Sequence, residues 1–160
     1  MSKPTIKKIT VVPFEDKYTK AFKDLNRWWI EKYFKMEEAD FKALDNPKSY
    51  ILDKGGYIAV AILDKEPVGV CALLKTENTA YDYELAKMGV SPKIHGKGIG
   101  HLLGNTIIKK AKELGAKSIF LETHTSLQPA IHLYKKLGFK QISGVPTPYK
   151  RSNFQMELNL

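Results

Sequence analysis

A mixed α/β fold, one sheet covered by helices, is what this sequence predicts, on three observations. Between Glu15 and Phe34 apolar residues recur every three or four positions, one face of a helix. Three extended runs then follow one another between Tyr57 and Val90, with a turn between the first two. From Ile99 onward, helix-type and strand-type segments alternate. Consecutive antiparallel strands followed by a β-α-β crossover give a mixed sheet.

Taken in order, Thr5–Val12 reads as a strand stopped by Pro13. The helix over Glu15–Phe34 sets Tyr18, Phe22, Leu25, Trp29 and Tyr33 on its core-facing stripe and leaves Trp28 off it. A second short helix spans Glu37–Leu44 and halts at Asp45-Asn46-Pro47. Gly55-Gly56 introduces the strand Tyr57–Leu63, which Asp64-Lys65-Glu66-Pro67 turns into Val68–Thr76. The third run is Tyr81–Val90, in which Asp82, Glu84, Ala86 and Met88 share a parity and hence a face. A glycine-rich loop, Lys93–Gly98, leads to a helix from Ile99 to Leu114. There Leu102, Leu103, Ile107, Ala111 and Leu114 form one face, and Gly115 supplies the stop. Ser118–Thr123 is a short strand. Pro129 opens a helix lined by Ala130, Leu133, Tyr134 and Leu137 and closed by Gly138. Two strands end the chain, near Phe139–Ser143 and Asn153–Leu160, giving the order β-αα-βββ-α-β-α-ββ. No repeat or linker divides it, so residues 1–160 read as one domain.

The bulk numbers narrow the function classes. Hydrophobic residues make up 43% and charged residues 27%, an ordinary balance for a soluble domain. The opening MSKPTIKKIT has no apolar stretch of signal-peptide length, and no run reaches the ~20 apolar residues that span a bilayer. A cytoplasmic address and no membrane partner are therefore expected. The single cysteine, Cys71, excludes an intrachain disulfide framework and a multi-cysteine zinc site, and the four histidines lack metal-ligand spacing, so no metal is expected. A net charge of +9 asks for an anionic partner. The basic residues are spread along the chain, with no reading helix or stacking motif, which disfavours nucleic acid.

The segment Val90–Gly100 joins a strand to a helix start, where unpaired backbone N–H groups and the helix dipole favour an anion. Its spacing is neither the G-x-G-x-x-G of a dinucleotide fold nor a nucleotide-triphosphate loop with Gly-Lys-Ser/Thr. A pair of glycines can be a mere turn. Three glycines at alternate positions beside Lys93, His95, Lys97 and His101 favour a pyrophosphate cradle.

Here a resemblance enters. His95-Gly96-Lys97-Gly98-Ile99-Gly100 is similar to the acetyl-CoA signature of the GNAT superfamily of N-acetyltransferases, Arg/Gln-x-x-Gly-x-Gly/Ala, with His95 in the Arg/Gln position. Ala130-Ile131-His132-Leu133-Tyr134-Lys135-Lys136-Leu137-Gly138-Phe139 resembles a second motif of the same family. Further stretches, Leu25-Asn26, Trp29-Ile30, Tyr33-Phe34, Glu84–Met88, Leu121-Glu122-Thr123 and Tyr149-x-Arg151, resemble a subgroup found alone or fused to MarR-type domains. The resemblance implies a six- to seven-stranded mixed sheet splayed between its fourth and fifth strands, with helices on both faces. It implies acetyl-CoA as cosubstrate. Main-chain groups at Met88, Gly89 and Val90 would meet the pantetheine and thioester carbonyl. His95, Gly96, Lys97, Gly98, Ile99, Gly100 and His101 would hold the pyrophosphate, with Ala130 and Tyr134 also on the cofactor. Leu127 stands where many relatives carry a cofactor-contacting Asn. A homodimer is compatible with this family and is not fixed by the sequence.

Acetyl transfer to an amine poses two proton problems. Deprotonating a lysine-like amine at neutral pH costs ~4–5 kcal/mol, an α-amino group only ~1, and expelling a thiolate calls for ~2. By the resemblance Tyr134 is the general acid, although its spacing is also what helix packing requires. Glu84 is the leading general base, against the alternative of a solvated carboxylate or an ion pair with Lys87; Glu122 and His124 are weaker candidates. Cys71, mid-strand, reads as a small core residue rather than a nucleophile. Trp28, Tyr33, Glu84, Tyr149 and Arg151 are candidates for the acceptor pocket, and Arg151 would suit an acceptor that bears a carboxylate. The rival reading is a GNAT-fold module that senses acyl-CoA without turnover.

Overall fold

Four strands, β1 (Thr10–Pro13), β2 (Tyr57–Leu63), β3 (Glu66–Lys75) and β4 (Tyr83–Val90), pair antiparallel in sequence order. Three more, β5 (Ser118–Thr123), β6 (Lys140–Ile142) and β7 (Phe154–Asn159), form a second antiparallel set with β7 in the middle. The computed structural model describes residues 8–77 and 80–160. All seven strands make one sheet, ordered β1-β2-β3-β4-β5-β7-β6. The halves join where β4 meets β5 in parallel, paired only at Tyr83↔Ile119 and Glu84↔Phe120. Beyond those pairs β4 and β5 part. Parallel neighbours need a crossover, and α3 (Ile99–Glu113) provides it.

β2 reads Tyr-Ile-Ala-Val-Ala-Ile-Leu because both faces of the sheet are covered. Ala59 and Ala61 pack with Leu103, Ile107 and Ala111 of α3. Ile58 and Val60 face the other way, onto Phe22 and Ile30 of α1 (Thr19–Tyr33) and Ala43 and Leu44 of α2 (Glu38–Asp45). The fourth helix, α4 (Gln128–Lys136), follows β5 and lies on the α3 side, where Leu137 at its end packs on Gly104.

Element order and type follow the sequence expectation; several details do not. Residues 5–7 of the expected first strand lie outside the described residues. The first helix begins as a 3-10 turn at Asp16–Tyr18. Its buried line runs Phe22–Asn26–Ile30, which leaves Tyr33, expected on the core stripe, 52% exposed at the last residue of the helix. Asn26 tolerates burial because its amide donates to the Phe22 carbonyl (2.9 Å) and its oxygen accepts from Trp29 Nε1 (3.1 Å). In α3 the core line has i, i+4 spacing, Ile99, Leu103, Ile107 and Ala111, so Leu102 and Leu114 are on the surface. An unforeseen π-helical turn, Lys48–Leu52, drives Ile51 into the α2 side of the core.

The largest departure is in β4. Between the pairs Val70↔Gly89 and Ala72↔Ala86, β4 carries one residue more than β3. Lys87 sits in this bulge with a left-handed backbone, φ +53°. An extra residue reverses side-chain alternation. Tyr83 and Leu85 face α3 before the bulge, and Met88 and Val90 face it afterward. Met88 is therefore not on the Glu84 face, contrary to the parity expectation. Gly89 turns to α1 instead, and a Cβ there would lie 2.8 Å from the Leu25 carbonyl oxygen.

Candidate active site

The parting of β4 and β5 opens a cleft of about 920 Å³. Its walls come from α1, β4, the loop that enters α3, the end of β5, α4 and the segment around Tyr149–Ser152.

One end is built from main chain. Ser91 N–H bonds the Val68 carbonyl (2.8 Å), so by antiparallel alternation the polar groups of Val90 point away from β3, toward the opening. A short 3-10 turn, Pro92–Ile94, carries the chain around, with Ser91 Oγ accepting from Lys93 N–H. Gly96 (φ +82°) and Gly98 (φ +75°) are left-handed, and a Cβ on either would meet nothing within 4 Å. Backbone conformation rather than crowding is what requires glycine there. Gly98 caps α3 without any side-chain bond. Leu102 N–H bonds the Gly98 carbonyl (3.1 Å), whereas the N–H groups of Ile99, Gly100 and His101 have no protein acceptor among the described residues. Three free amides at the positive end of a 15-residue helix fit a pyrophosphate. His95 Nε2 donates to the Val90 carbonyl (3.1 Å), and its ring meets Trp28 edge-on at 5.8 Å. Its side chain thus ties the loop to β4 and α1.

Of the residues expected at the cofactor, Met88, Val90, His95, Gly96, Gly98, Ile99, Gly100, His101, Ala130 and Tyr134 border the cleft. Gly89 and Lys97 do not: the bulge turns Gly89 to α1, and Lys97 is exposed beyond the rim.

Glu84 and Tyr134 border the same cleft. Burial, reinforced by the charge of Glu122, pushes the Glu84 carboxyl up to about 8, against a smaller opposing pull from Lys87. No protein donor reaches it among the described residues, although part of the residue still touches the cleft. Glu122 faces it from β5 and accepts the hydroxyl of Thr147. The Tyr134 ring packs edge-on against Phe139 at 6.2 Å, and burial raises its phenol so that it stays protonated. Cys71 is fully buried, its thiol pushed up by burial, with Sγ 3.8 Å from the Ala86 carbonyl oxygen; it is core, as its mid-strand position suggests. His124 is fixed at the end of β5, where Ser126 N–H donates to Nδ1 at 3.0 Å.

The opposite end is built from charged side chains, most of which sequence reasoning missed. Asp40 is fully buried in α2. It accepts two bonds from Arg151 (Nη1 to Oδ2 and Nη2 to Oδ1, both 2.6 Å), one from Lys87 Nζ, and one from Glu37 N–H (2.9 Å). Glu37 completes a capping box on α2 and receives Lys150 N–H (2.9 Å) and Arg151 Nη1 (3.3 Å). Lys87 Nζ also donates to the Tyr149 hydroxyl (2.9 Å). Burial alone would raise the Asp40 carboxyl; Arg151 and Lys87 outweigh it and hold it at about 2. Arg151 stacks on Tyr149 at 4.6 Å, with Trp29 and Phe34 slightly further off. A guanidinium with both terminal nitrogens on internal carboxylates is not a free clamp for a substrate carboxylate, which corrects the role suggested by its sequence position. Two local cues point to this cluster: the Glu37-x-x-Asp40 spacing at a helix start, and a lysine between apolar residues of a buried strand.

Comparison with known proteins bears on the family and the fold. The sequence model of the acetyltransferase (GNAT) family matches residues 19–139. A segment of 59 residues is 44% identical to the uncharacterized N-acetyltransferase YjgM of Escherichia coli, covering 37% of this chain and 35% of that protein. The chain thus spans only about a third of the length of the first curated relatives it matches. A GNAT-family acetyltransferase from Staphylococcus aureus Mu50 superposes with a TM-score of 0.85 at 22% identity, over 95% of this chain and 99% of that one. The Salmonella typhimurium protein yncA, solved with its cofactor acetyl-CoA, superposes with a TM-score of 0.76 at 17% identity, over 95% and 94%. At such identities these structures establish the fold.

Proposed function

The chain belongs to the acetyltransferase (GNAT) family, and from that premise we propose that it moves the acetyl group of acetyl-CoA onto a primary amine in the cleft between β4 and β5. The observation that carries this reading is the convergence on one cleft of a helix start, a carboxyl and a phenol whose amides, carboxylate and hydroxyl have no hydrogen-bond partner among the described residues.

Bound acetyl-CoA would supply the activated acetyl thioester. The amides of Ile99, Gly100 and His101 bind its pyrophosphate, and the opening-facing main chain of Val90, with Met88 beside it, orients the pantetheine arm. Glu84, ionised on a carboxyl held near neutrality, takes a proton from the incoming ammonium. The neutral amine nitrogen bonds to the acetyl carbon, and the carbon–sulfur bond breaks with its electron pair leaving on sulfur. Tyr134 donates its hydroxyl proton to that sulfur, and the second proton, lost from nitrogen as the amide forms, returns to the phenolate through solvent in the cleft. A phenol is ordinarily a weaker acid than a thiol. Desolvation, however, raises the proton affinity of a buried thiolate as it does that of the phenolate.

The test is release of CoA thiol from acetyl-CoA with and without a panel of primary amines. Amine-dependent release supports the proposal. Tight CoA binding with no release for any amine would leave an acyl-CoA-sensing module.

A further inference from the structure

The charges around the acceptor end do not match an acceptor anchored by a carboxylate. Two cations border it, and both are committed: Arg151 to Asp40 and Glu37, Lys87 to Asp40 and Tyr149. His124 is held on its Nδ1 by Ser126, whose N–H lies at 3.0 Å and whose Oγ lies at 2.7 Å. Lys136 borders the cleft from the far end of α4, where the adjacent Leu137 packs on Gly104 of α3, on the cofactor side. Two carboxyls remain, Glu84 at the last β4–β5 pair and Glu122 two residues beyond its partner Phe120 on β5, and both border the cleft. Glu84 has no donor at all among the described residues, and Glu122 holds only the Thr147 hydroxyl. Phe34 and His124, whose rings meet edge-on at 5.2 Å, border the same cleft.

A monoamine leaves this arrangement unresolved. It must give up its positive charge before it attacks, so at the moment of reaction it offers the second carboxylate nothing. A second ammonium, carried at the far end of an alkyl stem, stays charged throughout. We propose that the acceptor is a dicationic alkyl amine, a diamine or polyamine, with its reacting nitrogen at Glu84 and its other ammonium on Glu122. This rests on reading the cleft as an acetyl-transfer site. Specificity then comes from an acidic floor whose neighbouring cations are neutralised from within.

Three probes with one carbon chain decide it: 1,4-diaminobutane, n-butylamine and 4-aminobutyrate. Binding to the protein–CoA complex is measured by calorimetry, and kcat/KM by CoA release from acetyl-CoA. The diamine is expected to exceed butylamine by tenfold or more on both readouts, with 4-aminobutyrate last. Glu122→Gln should collapse the diamine-to-butylamine ratio toward one, and Glu122→Asp, which keeps the charge, should retain it. Equal values for diamine and butylamine in the wild type, or 4-aminobutyrate in first place, would overturn the proposal. If the binding order holds but no amine releases CoA, acetyl transfer fails and the dicationic site stands. If CoA is released without any order among the amines, the reverse holds.

Discussion

The two ends of the cleft are built on opposite principles. At the proposed cofactor end, the site offers backbone amides and left-handed glycines, within a few consecutive residues after β4. At the acceptor end, Glu37, Asp40, Lys87, Tyr149 and Arg151 come from α2, β4 and the segment before β7, and their side chains saturate one another. The first kind of site is tied down at its flanks, by Ser91 and His95, and leaves the amides at the start of α3 open to a ligand. The second is closed on itself, and it fastens Tyr149–Arg151 onto α2. Ligand binding and structural integrity are thereby separated along one groove.

This contrast is open to test. Asp40→Asn should have the largest effect, because it removes the carboxylate that keeps two buried cations compatible. About 3–5 kcal/mol of stability should be lost in denaturant unfolding, while CoA binding by the folded fraction changes less than twofold. A loss below about 1 kcal/mol would mean that the network carries little and would break the contrast. Asp40 is held at about 2, below its ordinary 3.8. Its contribution is thus complete above pH ~4 and lost as the pH falls toward 2, so the gap between wild type and variant should narrow there by ~2 kcal/mol.

Next in size is Glu84→Gln, expected to lower kcat/KM about 100-fold. In the wild type kcat/KM should rise as Glu84 ionises near pH 8. The variant's deficit should shrink at high pH, where acceptors arrive deprotonated. A constant offset at every pH would reject Glu84 as the base. Because ionising a buried carboxyl opposes folding, the wild type should also lose stability as the pH rises from about 4.5 to about 8. The variant should not.

Tyr134→Phe keeps the ring against Phe139 and removes only the proton. A drop in kcat of about tenfold is expected, with CoA affinity unchanged; no drop where chemistry limits turnover would make Tyr134 a packing residue. The smallest effect on stability belongs to Gly98→Ala. With nothing near its Cβ, it should cost only the left-handed penalty of about 1 kcal/mol, and Gly98→Asn less. A cost comparable to that of Asp40→Asn would mean that the cradle also helps to hold the fold.

What the sequence discloses follows the same division. The crossover helix and the loop before it are legible because periodicity, glycine spacing and helix stops are local signals, and β5 falls where the sequence places it, Ser118–Thr123. Glu84 and Tyr134 could be nominated because family motifs surround them. Arg151 could be nominated but not understood, since its partners Glu37 and Asp40 lie more than a hundred residues away. The bulge at Lys87 was invisible for another reason. A one-residue slip leaves composition and hydrophobicity untouched and shows only in the β3 register. Tyr33 misled because helical phase says which side a residue takes, but not whether anything still lies beneath it at the helix end.

The slip at Lys87 has a consequence for altering the protein. It works as a half-period phase shift, so that one strand addresses two different neighbours. Under the proposed function, residues before it that share the side of Glu84 would answer to the acceptor, and Met88 and Val90 beyond it to the cofactor. Substitutions on the two sides should therefore combine almost independently, and acceptor choice can be varied upstream of Lys87 without disturbing acetyl-CoA. Deleting Lys87 would remove the bulge, set Met88 directly opposite Cys71 and leave Met88 and Val90 on the α3 side, while taking away the cation that meets Asp40.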